Sequence, residues 1–241
     1  MNAQSQASFR FRHGVFIALA LLSVGVLIGT RQVVNNIVGP ITDMNARVTA
    51  DALYQGVTVV LALLFLLLVR AVHPENFKRF ARLGESSAHP EPISFLGIKA
   101  TDTWRSTGIQ FAIVVTIATA VFIYLNVLNS TFPVDRLIAA LPFALIFAVT
   151  NAFVEEALTR FGIVVPLYGV MPPGTIYIVS ALVFGIPHYF GTPGGVLGAI
   201  MAGFMGWLLA KSMVETRGVW WAWFIHFLQD VVILTAVIAV S

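Results

Sequence analysis

The sequence predicts an all-α fold, a polytopic transmembrane helical bundle of about seven (six to eight) spanning helices with an intramembrane polar cavity. Of the 241 residues, 58% are hydrophobic and 10% are charged, whereas about 25% of the residues in a soluble domain are charged. The mean hydropathy is +0.88. A soluble protein of this composition would expose large apolar patches, so lipid is the solvent that suits it. The absence of cysteine excludes disulfides, thiolate metal sites and a cysteine nucleophile.

Seven apolar runs approach or reach the length of about 20 residues that a spanning helix needs. They cover 15–30, 52–72, 107–128, 137–167, 176–190, 194–211 and 219–240. The polar stretch 35–51 between the first two runs is predicted to lie outside the lipid. The segment 73–104 is hydrophilic and is predicted to be a surface connection with a short amphipathic helix. It marks the one internal boundary, between a two-helix region with its linker (1–104) and a helical core (105–241).

Basic residues predict the orientation of these helices, because Lys and Arg concentrate in cytoplasmic loops. Most of them fall on one side of the alternating topology: Arg10, Arg12, the segment 70–105, Lys211 and Arg217. Arg31, Arg47 and Arg136 fall on the other side. The majority predicts a cytoplasmic N-terminus. The expected location is a bacterial or archaeal inner membrane. The basic residues form no patch, so nucleic acid is not an expected partner.

Small residues recur every fourth position in the sixth run. They form two rows: Gly194, Gly198, Ala202 and Gly206, and beside them Gly195, Ala199 and Gly203. Such rows allow the backbones of two membrane helices to approach closely. They predict tight packing without chemistry.

Six ionisable residues lie inside apolar runs, where each costs about 2.5–3.5 kcal/mol on insertion scales. They are Glu155, Glu156, Arg160, His188, His226 and Asp230. Such residues are expected to face a cavity or one another rather than lipid.

Glu155 and Glu156 differ in their partners. Glu156 and Arg160 are four residues apart, so they share a helix face and can form an ion pair. Glu155 is rotated by about 100° and is left without that partner. A purely structural ion pair that fixes helix packing is the alternative. One cation neutralises two buried carboxylates poorly, however, and this favours a functional role.

The two histidines lie on different runs. His188 follows Gly185 and Pro187, which break a helix and tend to line a cavity; a simple packing role is the alternative. His226 and Asp230 are four apart on the last run, which suits a carboxylate that orients an imidazole or two ligands of one metal. Counted from the predicted cytoplasmic ends at about 1.5 Å per residue, Glu155, His188 and His226 lie about 15, 18 and 10 Å deep. One cavity can therefore collect them.

These groups suit hydrolysis. A carboxylate and an imidazole can hold and deprotonate water, and another polar pair can stabilise an oxyanion. The same side chains, Glu155, His188, His226 and Asp230, could instead bind a divalent metal such as zinc. The residues leave the metal-assisted and metal-free versions open.

Three motifs in order, Glu155-Glu156-x-x-x-Arg160, Phe184-x-x-x-His188 and His226-x-x-x-Asp230, resemble those of the CPBP family. This family comprises CAAX proteases and bacteriocin-processing, ABI-like proteins, including the type II CAAX prenyl endopeptidases. The resemblance covers roughly 137–240 and implies that 105–241 is a catalytic core with intramembrane endopeptidase activity. It implies a peptide or membrane-protein substrate, with prenylated proteins as one class.

The resemblance also implies roles for the six residues. Glu155 would be the general base, acting with His188 on the attacking water. Glu156 and Arg160 would support the site, and His226 with residue 230 would line the oxyanion pocket. The prenyl proteases usually have Asn at that last position. Asp230 must therefore be protonated, orient His226 or ligate a metal, because an ionised carboxylate would repel an oxyanion.

Two other functions use the same features. A transporter would use the ionisable groups as a proton relay, and an inactive scaffold or immunity protein would keep the fold without the reaction. The motifs of other intramembrane protease types are absent: the sequence has no His-Glu-x-x-His, Gly-x-Gly-Asp or Gly-x-Ser-x-Gly.

Overall fold

The computed structural model describes residues 3–130, 132–192 and 194–241, with the side chains of 3–13, 16 and 23 left out. The side chains of Arg10 and Arg12, on which the predicted orientation partly depends, thus lie outside the described part. The long helices are α1 (Ala3–Val38), α2 (Met44–Val72), α4 (Trp104–Asn126), α5 (Val134–Glu155), α7 (Pro173–Gly185), α8 (Gly195–Thr216) and α9 (Trp220–Ala239). Two shorter ones are α3 (Pro74–Phe80) and α6 (Gly162–Leu167).

Among the described residues, seven helical segments are long and apolar enough to cross a membrane. The fourth joins α5 to α6 through a π-helical segment, Glu156–Phe161, and the fifth joins α7 to a 3₁₀ segment, Ile186–Phe190. The all-α multi-pass fold is confirmed. The cytoplasmic N-terminus and the cell type stay predictions, as does the division of the chain at 104.

The outer surface of α2 is apolar in the way that lipid requires. Leu63, Leu64 and Leu67 are 48%, 58% and 59% exposed. Exposure of these three leucines to water would be unfavourable, whereas lipid tails solvate them. The exposed face therefore agrees with a bundle that is embedded in a bilayer.

The first two helices are longer than the sequence predicted. α1 runs to Val38 and α2 already begins at Met44, so most of the polar stretch 35–51 is helical. Asp43 explains the early start of α2, since its carboxylate accepts a hydrogen bond of 2.9 Å from the backbone N–H of Ala46 and caps the helix. Asp51 is buried within α2, 1% exposed, where the sequence placed it among residues outside the lipid.

The hydrophilic segment 73–104 folds over one end of the bundle. It contains the predicted short helix, α3. Asn76 on this helix donates its side-chain amide to the carbonyl oxygens of Val165 and Tyr168, at 3.0 and 3.1 Å. Gly84 meets Gly218 so closely that a Cβ on Gly84 would lie 2.9 Å from the Gly218 Cα. The linker and the loops after α6 and α8 thus lie at the same end, as the alternating topology predicts.

Helices α7 and α8 cross at their glycines. A Cβ on Gly206 would lie 2.7 Å from the carbonyl oxygen of Ser180, and one on Gly185 would lie 2.8 Å from the Cα of Gly203. Any side chain at these positions would force the helices apart. The rows of small residues therefore do bring two backbones together, and this holds the end of α7 and the 3₁₀ segment in place.

Candidate active site

Four of the six ionisable residues line one cavity. Its volume is about 650 Å³, and Glu155, His188, His226 and Asp230 all contribute to its wall. Glu156 and Arg160 lie behind this wall, 2% and 0% exposed. Helices α5 and α9 and the 3₁₀ segment after α7 bring these four groups to one cavity, whose wall is otherwise mostly apolar.

Arg160, Glu156 and His226 form a buried chain of polar contacts. Arg160 Nη2 lies 3.2 Å from Glu156 Oε1, as the four-residue spacing predicted. His226 Nδ1 lies 2.8 Å from the same carboxylate oxygen. If the imidazole donates Nδ1–H to this carboxylate, its other nitrogen is left for the cavity. Glu156 therefore fixes the ring orientation of a histidine 70 positions away in the sequence.

The second nitrogen of His226 faces two further carboxylates. His226 Nε2 lies 3.5 Å from Glu155 Oε2 and 3.7 Å from Asp230 Oδ2. The His226 side chain is 6% exposed, whereas the Glu155 side chain is 20% exposed. Glu155 thus has free access to the cavity while staying close to an imidazole. Such a carboxylate can accept a proton from a water molecule in the cavity.

Asn151 joins these two carboxylates and was missed by the sequence analysis. Its side-chain amide donates to Glu155 Oε1 at 3.0 Å and to Asp230 Oδ2 at 3.1 Å. Its own oxygen accepts a hydrogen bond of 3.3 Å from Gln55 on α2. The signal was available in part, because Asn151 lies one helical turn before Glu155 on the same face.

Phe184 packs among three of the predicted residues. Its ring centre lies 4.4 Å from the His188 ring and 5.4 Å from the His226 ring. The Arg160 guanidinium carbon lies 4.2 Å from the same centre, in cation–π geometry. Phe184 appeared in the motif that the sequence analysis quoted, but it was assigned no role. It separates the buried cation from the cavity and supports both histidines.

His188 lies on the 3₁₀ segment that ends the fifth span. The helix changes there at Ile186 and Pro187, as the sequence predicted from its helix breakers. His188 Nδ1 donates to the backbone carbonyl oxygen of Phe184 at 2.6 Å. Its Nε2 is therefore the nitrogen available to accept a hydrogen bond from a ligand or water.

Helices α1 and α2 supply another wall of the site. Arg31 and Tyr54 line the main cavity and a second cavity of about 310 Å³, and Glu155 and His188 also line both. The Arg31 guanidinium carbon lies 4.0 Å from the centre of the Tyr54 ring. Neither residue could be predicted from the motifs, because both precede the segment that contains the motifs.

Among the described residues, the structure contains no group of three or more His, Asp or Glu side chains placed to hold a metal ion. In the predicted ligand set of Glu155, His188, His226 and Asp230, the bond from His188 Nδ1 to a backbone carbonyl leaves Nε2 as the nitrogen that could face a metal. No step of the reaction proposed below passes through a metal, and zinc in this cavity stays a prediction.

A comparison with known families matches the part of the chain that carries these side chains. Residues 136–232 match the family model of Rce1-like, Type II CAAX prenyl endopeptidase. This Rce1-like segment confirms the family resemblance predicted from the sequence. It contains all six ionisable residues, together with Asn151 and Phe184, and ends before the last turns of α9. No significant match came from the curated proteins or from the solved structures.

The Rce1-like segment supports a CAAX-type intramembrane protease in general terms. Such a protein acts on a peptide substrate in a membrane, and seven candidate spans agree with a multi-pass membrane protein. Arg31 and Tyr54 come before the matched segment. Their place in the cavity therefore rests on the structure alone.

Proposed function

We propose that this protein is an intramembrane endopeptidase in which Glu155 activates a water molecule. One observation carries the proposal: Glu155 Oε2 lies 3.5 Å from His226 Nε2 at the wall of a cavity among spanning helices. A carboxylate at this position can accept a proton from a water molecule in the cavity. The cavity gives water and a peptide room to meet it.

The first step is the attack of water on the scissile carbonyl carbon. Glu155 takes one proton from the water, and the oxygen forms a bond to carbon, which leaves a tetrahedral oxyanion. His188 Nε2 accepts a hydrogen bond from the same water and helps to orient it. The C–N bond then breaks, Glu155 returns its proton to the leaving nitrogen, and the products are a carboxylic acid and an amine.

His226 stabilises the oxyanion between these two steps. Glu156 accepts Nδ1–H, and a doubly protonated imidazole offers Nε2–H to the oxyanion. Glu156 and Arg160 are positioning residues in this scheme, because they are buried behind His226. Asp230 is also a positioning residue: it is held by Asn151 and lies 3.7 Å from His226 Nε2.

The rest of the cavity suits an apolar peptide. Its wall includes Met201, Met205, Ile233 and Leu234 from α8 and α9. Apolar side chains of a substrate would replace lipid or water there at little cost. Prenylated proteins stay one predicted class of substrate.

The clustering of the acids favours hydrolysis over a proton relay. Glu155, Glu156 and Asp230 all lie within 3.7 Å of one imidazole. A relay would spread such groups along a path across the membrane. An inactive scaffold or immunity protein is the other alternative, and only an assay separates it from a protease.

The decisive experiment is the substitution Glu155→Gln in the full-length protein reconstituted in vesicles. We expect cleavage of membrane-delivered peptides to fall by about 10²–10⁴-fold, because amides do not act as general bases. Cleavage is followed by mass spectrometry of a peptide library, and folding by thermal unfolding. Glu75→Gln on the exposed helix α3 is the matched control. Full activity of Glu155→Gln, or no cleavage by the parent protein, would refute the proposal.

A further inference from the structure

Tyr54 on α2 brings a hydroxyl group to the candidate active site from outside the Rce1-like segment. Its side chain lines both the main cavity and the second cavity, and Glu155 and His188 line the same two cavities. The hydroxyl makes no hydrogen bond with any described residue, and it is not sealed inside the protein. A tyrosine hydroxyl can donate one hydrogen bond. The cavity wall therefore contains a free donor that the proposed reaction has not yet used.

A network of charged side chains holds the Tyr54 ring in place. The Arg31 guanidinium carbon lies 4.0 Å from the centre of the ring. Arg31 is itself held by Asp51, since Arg31 Nη1 lies 2.6 Å from Asp51 Oδ1. Arg47 Nε lies 2.8 Å from the other oxygen of this carboxylate, and Asp51 is only 1% exposed. A donor that is fixed in this way need not be reordered during a reaction.

The residue next to Tyr54 connects α2 to the general base. Gln55 donates a hydrogen bond of 3.3 Å to Asn151 Oδ1, and Asn151 donates one of 3.0 Å to Glu155 Oε1. Neighbouring residues in a helix differ by about 1.5 Å along its axis. Tyr54 thus lies on α2 at the level of the contacts that reach Glu155, which explains why both side chains line the same cavities.

We propose that the Tyr54 hydroxyl is a second hydrogen-bond donor to the tetrahedral oxyanion, beside His226, which rests on the proposed function. When water adds to the scissile carbonyl, the C=O double bond becomes a single bond and its oxygen gains a negative charge. The hydrogen bond from Tyr54 strengthens as this charge develops, and the proton stays on the tyrosine. The adjacent Arg31 favours the partial negative charge that a donating phenol gains.

Tyr54→Phe tests the donor, because it removes one oxygen and keeps the ring that contacts Arg31. Cleavage is measured on the full-length protein in phosphatidylcholine vesicles, with a peptide that the parent protein cleaves. We expect kcat to fall by about 10²–10³-fold, with KM within about threefold of the parent value, because the bond forms in the transition state. Tyr124→Phe, at an exposed position on α4, is the matched control and should keep full activity.

A tetrahedral ligand tests the same hydrogen bond without cleavage. An apolar hexapeptide with blocked ends is compared with its phosphinic analogue, in which –PO₂⁻–CH₂– replaces the central peptide bond. Both affinities are measured in the Glu155→Gln background. We expect the phosphinate to bind at least about 10²-fold more tightly than the peptide. Tyr54→Phe should lower this preference by about tenfold and leave the peptide affinity unchanged. A role in packing alone would weaken both ligands alike.

The outcomes separate this donor from the protease itself. Cleavage by the parent protein that Tyr54→Phe leaves within about threefold would overturn the donor and leave the protease. Equal affinities for phosphinate and peptide, or a phosphinate preference that survives Tyr54→Phe, would also overturn the donor. A phosphinate preference that depends on the Tyr54 hydroxyl, without cleavage by the parent protein, would support the donor and refute the protease.

Discussion

Two cations, Arg160 and Lys211, are almost completely buried in different parts of this bundle. Arg160 is 0% exposed and Lys211 is 1% exposed. Each pairs with a glutamate four residues away on its own helical segment: Arg160 with Glu156 at 3.2 Å, and Lys211 with Glu215 at 2.5 Å. In sequence the two pairs look alike, and both are expected to be costly to break.

The two pairs differ in what surrounds them. Glu215 also accepts hydrogen bonds from the Trp104 indole at 2.9 Å and from the backbone N–H of Glu91 at 3.3 Å. Glu91 lies 3.8 Å from Lys211, but its side chain is 74% exposed. The Lys211 pair thus ties the linker segment to α8 at the end of the bundle, and its additional acid lies in water.

Around Arg160 the additional acids lie inside the protein. Glu156 also contacts His226, and His226 in turn faces Glu155 and Asp230 in the cavity. A buried cation alone therefore does not mark a site. Further titratable groups that face an internal cavity distinguish the Arg160 pair from the Lys211 pair.

The largest effect is expected for Arg160→Met, which leaves Glu156 buried without its cation. We expect the free energy of unfolding in detergent to fall by about 3–5 kcal/mol, with cleavage lost as His226 loses its fixed carboxylate. The double variant Arg160→Met/Glu156→Leu should recover much of the stability but no cleavage. Recovery of both would make this pair purely structural, like that of Lys211.

Lys211→Met should have a smaller effect, confined to stability. In the same unfolding assay, we expect the free energy of unfolding to fall by about 1.5–3 kcal/mol, which is the contribution of a hydrogen bond to a charged group. Cleavage per folded molecule should stay within about twofold of the parent value, because the pair lies outside the cavity. Arg217→Gln, at an exposed position, is the control. A large loss of cleavage would contradict the distinction between the two pairs.

Glu91→Gln should have the smallest effect. Its contact with Lys211 is long and its side chain is mostly in water. The free energy of unfolding should therefore fall by less than about 1 kcal/mol. Thermal unfolding of the variant and the parent protein at low and high salt measures this change. At high salt the difference in stability should disappear, because salt screens the contact. A loss equal to that of Lys211→Met would show that Glu91, rather than Glu215, compensates the buried lysine.

The sequence analysis succeeded where neighbours in the chain decide the structure. Apolar runs of spanning length predicted the seven helices, and the four-residue spacing predicted the contact between Glu156 and Arg160. The break before His188 followed from Gly185 and Pro187. Each of these depends on helical geometry over a few turns, so one segment contains the whole signal.

What the sequence by itself determined, then, is an all-α membrane bundle with ionisable groups facing inward, because lipid penalises any other placement of them. Only the tertiary structure decided which groups meet. His226 contacts Glu156 across 70 positions and Asn151 contacts Asp230 across 79, while Arg31 and Tyr54 reach the cavity from helices before the family motifs. The packing of helices that are distant in the chain sets these contacts, and no local periodicity encodes it.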